Sequence, residues 1–194
     1  MSEKYLGDRI GKLGFGFMRL PRKGKEFDYS IINQMVDRFL EAGFTYFDTA
    51  YVYMGSEEAM RETLVKRHPR ENYQIASKLN MMNVQKPEDM QTVFDTTLER
   101  LGTDYLDFYL LHGLGAATNK KCEDMGAWQF VKKLKAAGKI KHYGFSYHDN
   151  AETLDTILTN HPDAEFVQLQ INYIDWDNKD VESRGVYETA RKHN

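Results

Sequence analysis

The chain has 194 residues, of which 41% are hydrophobic and 28% are charged, and its formal net charge is -3. This length fits one domain, and the composition excludes a largely disordered chain. The slightly acidic balance argues against nucleic-acid binding through a basic surface, and the single cysteine excludes an internal disulfide, a cysteine-based zinc site or an iron–sulfur cluster held by this chain alone. Because no apolar signal segment opens the sequence and no apolar run reaches about 18 residues, we expect a cytoplasmic protein that does not enter a membrane.

Short β-rich runs alternate along the chain with longer segments of helical periodicity. A small N-terminal hairpin is predicted first, followed by a strand at 12–17 and a helix at 30–42 whose apolar residues recur at spacings of three and four. The later predicted elements are strand 44–49, helix 56–67, strand 73–78, helix 87–101, strand 105–112, helix 126–137, strand 140–146, helix 151–160, strand 165–172 and a helical segment at 181–192. The intervening stretch 113–124 predicts a surface loop, in which we expect Cys122 to be an exposed thiol.

This alternation of strands and helices predicts an α/β protein with a parallel sheet. The strands begin about every 30 residues, which is the length of a βαβ unit. Two architectures remain compatible with six such units. One is an open doubly wound sheet, and the other is a (β/α)8 barrel short of two units, since a complete barrel has about 250 residues.

Polar residues at the carboxyl ends of the predicted strands form the candidate site. In both architectures the functional groups gather at this edge of the sheet. Tyr53 follows the second strand closely enough to fold over the same edge. The strand ends themselves carry Asp48, Lys78, His112, Ser146 and the pair Gln168 and Gln170.

Four of these residues form a combination suited to protonating a carbonyl oxygen. A lysine ammonium beside a phenol favours the phenolate, so Lys78 is expected to lower the pKa of Tyr53. Asp48 would keep Lys78 charged and oriented. His112 would donate a hydrogen bond to a substrate oxygen or position it.

Each of these residues also has a purely structural interpretation. Taken singly, Asp48 is typical of a strand-end cap, and His112 is typical of a half-buried histidine. Lys78 taken singly is equally typical of a solvated strand end. Their equivalent positions on successive strands favour the functional interpretation, whereas His142 and His148 have no partner at a recognisable spacing and are interpreted as structural.

The sequence carries no other catalytic or metal-binding motif. The glycine-rich run GKLGFG does not continue as GxGxxG, so a Rossmann-type dinucleotide loop is not predicted. The patterns GxxxxGK[ST], HExxH, CxxC and GxSxG are also absent from the sequence, so we predict no metal site.

Five segments, in their order and spacing, resemble the aldo-keto reductase superfamily. The resemblance extends from about residue 12 to residue 194 and implies a TIM barrel that reduces an aldehyde or ketone to an alcohol with NADPH. The runs LGFGFMRLP and GFSYHD are most similar to a bacterial branch whose longer members often carry a C-terminal ferredoxin-like domain. The five segments are FDTAYVYMGSEE, ASK, RLGTDYLDFYLLH, GKIKHYGFS and FVQLQINY.

The same resemblance assigns the catalytic roles. Tyr53 matches the general acid, and Lys78 matches the residue that lowers the pKa of this acid. Asp48 matches the carboxylate that pairs with the lysine, and His112 matches the residue that orients the substrate carbonyl.

The resemblance also implies residues that hold the cofactor. Ser146 and Gln168 match residues that bind the nicotinamide carboxamide, with Gln170 the second choice for the glutamine. Tyr147 stands where many family members have asparagine. The nicotinamide pocket would further be lined by Gly16, Phe17 and Met18.

The sequence departs from the family pattern at its end. It stops inside the predicted sixth helix, so the single domain, 1–194, corresponds to strands one to six of the barrel. In the family, the segments around strands seven and eight carry most contacts to the cofactor phosphates. We therefore expect the chain alone to bind NADPH weakly or not at all. We also expect self-association or a complementing fragment, because an open barrel exposes strand edges and apolar surface.

Two classes of function remain open at this point. The first is an NADPH-dependent reductase acting on a small carbonyl substrate, which the complete set of four catalytic residues favours. The second is a non-catalytic regulatory or interaction protein on the same scaffold, or an inactive fragment that needs a partner. Neither nucleic acid nor a membrane is expected as a partner, and the sequence does not identify the carbonyl substrate.

Overall fold

The computed structural model describes residue 6, residues 10–179 and residues 181–193. In chain order the strands are β1 (Gly14–Gly16), β2 (Arg22–Lys23), β3 (Glu26–Phe27), β4 (Tyr46–Asp48), β5 (Gln74–Leu79), β6 (Leu106–Leu114), β7 (Ile140–Tyr147) and β8 (Val167–Leu169). Six of them form one parallel sheet in the order β1-β4-β5-β6-β7-β8. The other two, β2 and β3, form a small antiparallel hairpin.

Helices connect successive strands of the parallel sheet. They are α1 (Tyr29–Glu41), α2 (Ser56–Met60), which continues as a π-helical turn (Arg61–Val65), α3 (Asp89–Leu101), α4 (Ala116–Asp124), α5 (Ala127–Ala136), α6 (Ala151–Asn160) and α7 (Ser183–Lys192). Local signals set several boundaries: the side chains of Asp28 and Asn150 accept hydrogen bonds from the first turns of α1 and α6. Gly102 ends α3 in the left-handed conformation, with φ 68°. Within the described ranges, no helix is long and apolar enough to cross a membrane.

The parallel sheet curls into part of a barrel wall. Gln168 of β8 donates a hydrogen bond to Asp48 of β4 over 3.4 Å, although three strands lie between β4 and β8 in the sheet. A flat sheet would hold these two side chains far apart, since neighbouring strands are spaced about 4.8 Å. The prediction of an α/β barrel with about six βα units is therefore confirmed, and the open doubly wound alternative is wrong.

The alternation of side chains separates two apolar layers. Residues on the convex face, such as Phe47, Ile75 and Phe145, pack against the helices in the main core. A smaller cluster of Ala76, Phe108 and Leu110 fills the concave face. This inner cluster lies below the polar carboxyl ends of the strands and forms their apolar floor.

The structure corrects one predicted loop. The stretch 113–124 forms the end of β6 followed by α4, and Cys122 on this helix is fully buried, which raises the pKa of its thiol to about 12. Tertiary contacts hold α4: Asn119 accepts a hydrogen bond from the Trp128 indole at 3.1 Å, and Lys121 donates to the Met81 carbonyl at 2.7 Å. The sequence pattern does not reveal α4 because its residues are mostly polar. The predicted N-terminal hairpin falls largely outside the described residues.

Candidate active site

A cavity of about 210 Å³ opens at the carboxyl ends of the parallel strands. Its lining includes most of the residues that the sequence singled out, drawn from five strands and the connections that follow them. The side chains around it belong to Asp48, Tyr53, Lys78, His112, Ser146, His148, Gln168, Leu169 and Gln170.

The stagger between the strands brings these side chains together. Asp48 lies opposite Ala76 in β5, and Lys78 lies opposite Leu110 in β6. From β4 to β6, each following strand therefore contributes a residue two positions further along, on the same face of the sheet. This step of two aligns Asp48, Lys78 and His112 on the concave face. Ser146 follows Gly144, the partner of Leu110, by two residues, so it lies on the same face, opposite Gln168.

The centre of the cavity is an ion pair between Lys78 and Asp48. The Lys78 Nζ atom lies 2.6 Å from Asp48 Oδ1 and donates a second hydrogen bond to the Thr49 carbonyl at 2.8 Å. Lys78 is almost fully buried, and burial lowers its pKa while the Asp48 carboxylate opposes that shift. The paired carboxylate thus compensates for burying the ammonium, and the two hydrogen bonds fix its position.

Tyr53 lies between this ion pair and His112. The Lys78 Nζ atom is 5.2 Å from the centroid of the Tyr53 ring, and the ring meets the His112 imidazole edge to face at 5.8 Å. Burial raises the pKa of Tyr53, and the Asp48 carboxylate raises it further. This direction differs from the predicted lowering by Lys78, because burial and the nearby carboxylate both disfavour the phenolate. Tyr53 is therefore a protonated phenol at neutral pH.

His112 is a neutral imidazole in this environment. Burial lowers its pKa to about 4, with further lowering by Lys78 and His148. Its Nδ1 atom is buried and makes no hydrogen bond with a described residue. A neutral imidazole carries one N–H donor, so His112 can donate one hydrogen bond into the cavity.

The depressed pKa of His112 predicts a pH dependence of stability. Since the folded pKa is about 4 and the unfolded value is 6.5, the unfolded state binds more protons between these pH values, and the free energy of unfolding should rise with pH there. The full difference corresponds to about 3 kcal/mol. Chemical denaturation across this range should show the rise, and His112→Gln should flatten it. An unchanged slope in the variant would contradict the burial of a neutral His112.

The predicted nicotinamide residues divide into two groups. Ser146 and Gln168 line the cavity, and the Ser146 hydroxyl accepts a hydrogen bond from the Gly113 N–H at 2.8 Å. Gln170 also lines it, with its Oε1 atom 3.0 Å from His148 Nδ1. These three side chains are placed where they could contact a ligand in the cavity.

The other four residues, Gly16, Phe17, Met18 and Tyr147, are not among those that line this cavity, although Gly16 lies opposite Asp48 at the end of β1. Phe17 is fully buried against Phe47 in the main core, and Met18 is 57% exposed. Tyr147 follows the inward-facing Ser146, so strand alternation turns it toward the helices, where its hydroxyl donates to the Asn150 carbonyl at 2.5 Å. At Gly16, a Cβ atom would meet nothing within 4 Å.

The structure also adds a residue to the candidate site. His148 lines the same cavity, which corrects its interpretation as a structural histidine. The usable signal is its spacing, because it follows Ser146 by two residues on a strand that continues into the loop. His142 does fit a structural interpretation: its ring stacks on Phe108 at 5.2 Å, and its Nδ1 atom lies 2.8 Å from Glu165.

Comparisons with known proteins relate the whole chain to one family. Residues 12–194 match the model of the Aldo/keto reductase family. A probable aldo-keto reductase 1 from Glycine max is 30% identical over 191 residues, which cover 91% of this chain and 51% of that protein. The chain thus spans about half the length of this curated relative.

Solved structures of this family show the same fold. A putative aldo-keto reductase from Pseudomonas aeruginosa superimposes with a TM-score of 0.76 at 24% identity, over 95% of this chain and 70% of that one. An aldo-keto reductase from Klebsiella pneumoniae, solved in complex with NADPH, gives a TM-score of 0.68 at 22% identity, over 93% of this chain and 60% of that one. At these identities the likeness concerns the fold alone.

Proposed function

The chain belongs to the aldo/keto reductase family, and on this basis we propose that it carries the catalytic groups for NADPH-dependent reduction of an aldehyde or ketone to an alcohol. The observation that carries the proposal is the Lys78–Asp48 ion pair beside the Tyr53 ring, in a cavity that His112 also lines. We also propose that 1–194 constitutes strands one to six of a reductase barrel, in the cytoplasm.

The cavity residues fit the nicotinamide end of a dinucleotide. The Ser146 hydroxyl and the Gln168 amide offer neutral hydrogen-bonding groups of the kind that pair with a carboxamide. Among the described lining residues, Lys78 is the one permanent cation, and Asp48 already neutralises it. The cavity therefore suits a nicotinamide better than phosphates. NADPH, when bound, would supply the hydride.

The side chains of this chain would handle the proton. Tyr53, held as a protonated phenol, would donate its proton to the carbonyl oxygen as general acid. The Lys78 ammonium would stabilise the resulting phenolate, and Asp48 would keep that ammonium in place. Neutral His112 would donate its single N–H to the same carbonyl oxygen and so orient the substrate.

A binding titration tests the cofactor part of the proposal. The purified chain is titrated with NADPH, followed by nicotinamide fluorescence, while size-exclusion chromatography reports its association state. We expect weak saturable binding that Ser146→Ala and Gln168→Leu both weaken further, because each variant removes a proposed carboxamide contact. Binding that neither variant changes would contradict a nicotinamide site at this position, and if the folded chain shows no saturable binding, the same variants are compared in the presence of a complementing fragment.

A further inference from the structure

A buried carboxylate lies directly behind the candidate active site. Glu57, in the first turn of α2, is 1% exposed. Its Oε1 atom accepts a hydrogen bond from the Ser77 hydroxyl at 2.7 Å, and its Oε2 atom lies 3.4 Å from Arg100 Nη1. A buried carboxylate is costly unless such partners compensate for its lost hydration. The site chemistry described above does not use this group.

Arg100, in the last turn of α3, extends this contact to the loop that carries Tyr53. Its Nη1 atom donates to the Tyr51 carbonyl at 3.2 Å, and its guanidinium carbon lies 4.4 Å from the centroid of the Tyr51 ring. Its Nε atom is also 3.4 Å from Glu58. Arg100 therefore holds both the backbone and the ring of Tyr51, two residues before Tyr53.

These contacts link the two halves of the candidate site. Ser77 directly precedes Lys78 on β5, and Tyr51 belongs to the connection between β4 and α2. Glu57 therefore contacts β5, the strand that carries Lys78. It also contacts Arg100, which holds the loop that carries Tyr53. Among the described residues, no other carboxylate contacts both Ser77 and Arg100.

The loop itself has little apolar anchoring around Tyr53. Its flanking residues Val52 and Met54 are 39% and 88% exposed. The ends of the loop are joined by a 2.6 Å hydrogen bond between the hydroxyls of Thr49 and Ser56. Between those ends, the Tyr53 N–H donates to the Ala50 carbonyl at 3.0 Å and the Tyr53 carbonyl accepts from the Ser56 N–H at 2.8 Å. The Arg100 contacts at Tyr51 add a side-chain restraint from α3.

We propose that Glu57 and Arg100 are positioning residues that hold the loop at 49–56 so that Tyr53 stays beside Lys78. This inference rests on the proposed function for its meaning in catalysis. The contacts themselves and their effect on Tyr53 can be measured without turnover.

Arg100→Met separates positioning from direct electrostatics. Removing the guanidinium charge alone would raise the pKa of Tyr53, because a nearby cation favours the phenolate. Loosening the loop would instead expose the phenol to water and lower its pKa toward the ordinary value of 10, since burial is the largest cause of the present shift. The two effects have opposite signs. We expect the pKa of Tyr53 to fall by about half a pH unit or more.

The measurement uses protein labelled with carbon-13 at the tyrosine ζ position. Comparison with Tyr53→Phe assigns the Tyr53 resonance, which is then titrated with pH in each variant. Arg100→Met and Glu57→Gln should both lower the pKa of Tyr53, and the double variant should lower it no further than the larger single effect, because the two residues act as one unit. Where carbonyl reduction is measurable, each single variant should lower kcat by about tenfold at unchanged Kd for NADPH.

Asp107→Asn provides the matched control. Asp107 is also a buried carboxylate paired with an arginine, Arg70, at 2.6 Å, but it lies near the amino end of β6, away from Tyr53. This variant should reduce stability and leave the Tyr53 titration unchanged. If Arg100→Met does not fold, Arg100→Lys retains the charge and loses the ring stacking, and it should give a smaller shift in the same direction.

Three results would overturn the proposal. They are an unchanged Tyr53 pKa in the folded Arg100 and Glu57 variants, a raised pKa in Arg100→Met, and an equal shift in Asp107→Asn. The failure of the reductase proposal is distinguishable from these, because it would appear as carbonyl reduction that survives Tyr53→Phe, whatever the titrations show.

Discussion

Tyr53→Phe is expected to lower the rate of carbonyl reduction by about 10²–10⁴-fold, the range typical for loss of a general acid. The variant keeps the ring contacts with His112 and Lys78 and removes only the phenolic hydroxyl, and with it the proton to be donated. Binding of NADPH should remain, because the proposed carboxamide contacts come from Ser146 and Gln168. The measurement is the rate of NADPH oxidation in the presence of each of a panel of aldehydes and ketones. This rate is compared between the variant and the unsubstituted chain, each alone or together with a complementing fragment.

Tyr46→Phe is the control for this prediction. Tyr46 faces the same side of β4 two residues before Asp48 and is part of the inner apolar cluster near the amino end of the strands. Removing its hydroxyl should leave the rate nearly unchanged. Full activity in Tyr53→Phe would eliminate Tyr53 as the acid, and equal losses in both variants would indicate a general disturbance of the barrel.

Lys78→Met is expected to depress turnover by more than it weakens NADPH binding. The substitution retains most of the buried side-chain volume but removes the ammonium that Asp48 contacts at 2.6 Å. The unpaired Asp48 carboxylate would then raise the pKa of Tyr53 further, because a nearby negative charge disfavours the phenolate. The limb of the pH–rate profile that reports Tyr53 should move to higher pH.

Lys141→Met is the corresponding control. Lys141 pairs with Asp107 at 2.7 Å but is 55% exposed and lies at the amino end of β7. Its removal should leave the pH–rate profile in place. An unshifted profile in Lys78→Met would show that the ammonium does not influence the acid.

The location of the candidate site follows from regular geometry that a sequence displays. Strands about 30 residues apart predict a parallel sheet, and parallel strands bring their carboxyl ends to one edge. Because of their spacing along the chain, we therefore expect the polar residues at successive strand ends, such as Asp48, Lys78 and His112, to surround one cavity. Their catalytic roles stay proposals that the variants above test.

Other features depend on contacts between elements distant in the sequence. Helix α4 packs against α5 and the turn after β5, and this packing buries Cys122. The sequence of α4 has no apolar periodicity from which a helix could be predicted. The raised pKa of Tyr53 depends on how deeply the ring is buried and on how close the Asp48 carboxylate lies to it.

The sequence by itself determined the α/β class, the order of the parallel strands and of the helices other than α4, and the set of polar residues at the strand ends, because these follow from periodicity and local turn signals. The tertiary structure alone decided that the sheet curls, as the contact between Gln168 and Asp48 shows. It also decided that Phe17 and Tyr147 face the core and that Glu57 and Arg100 stand behind the loop of Tyr53. The physical reason is that strand stagger, burial and the pairing of buried charges arise only when segments far apart in the chain are packed together.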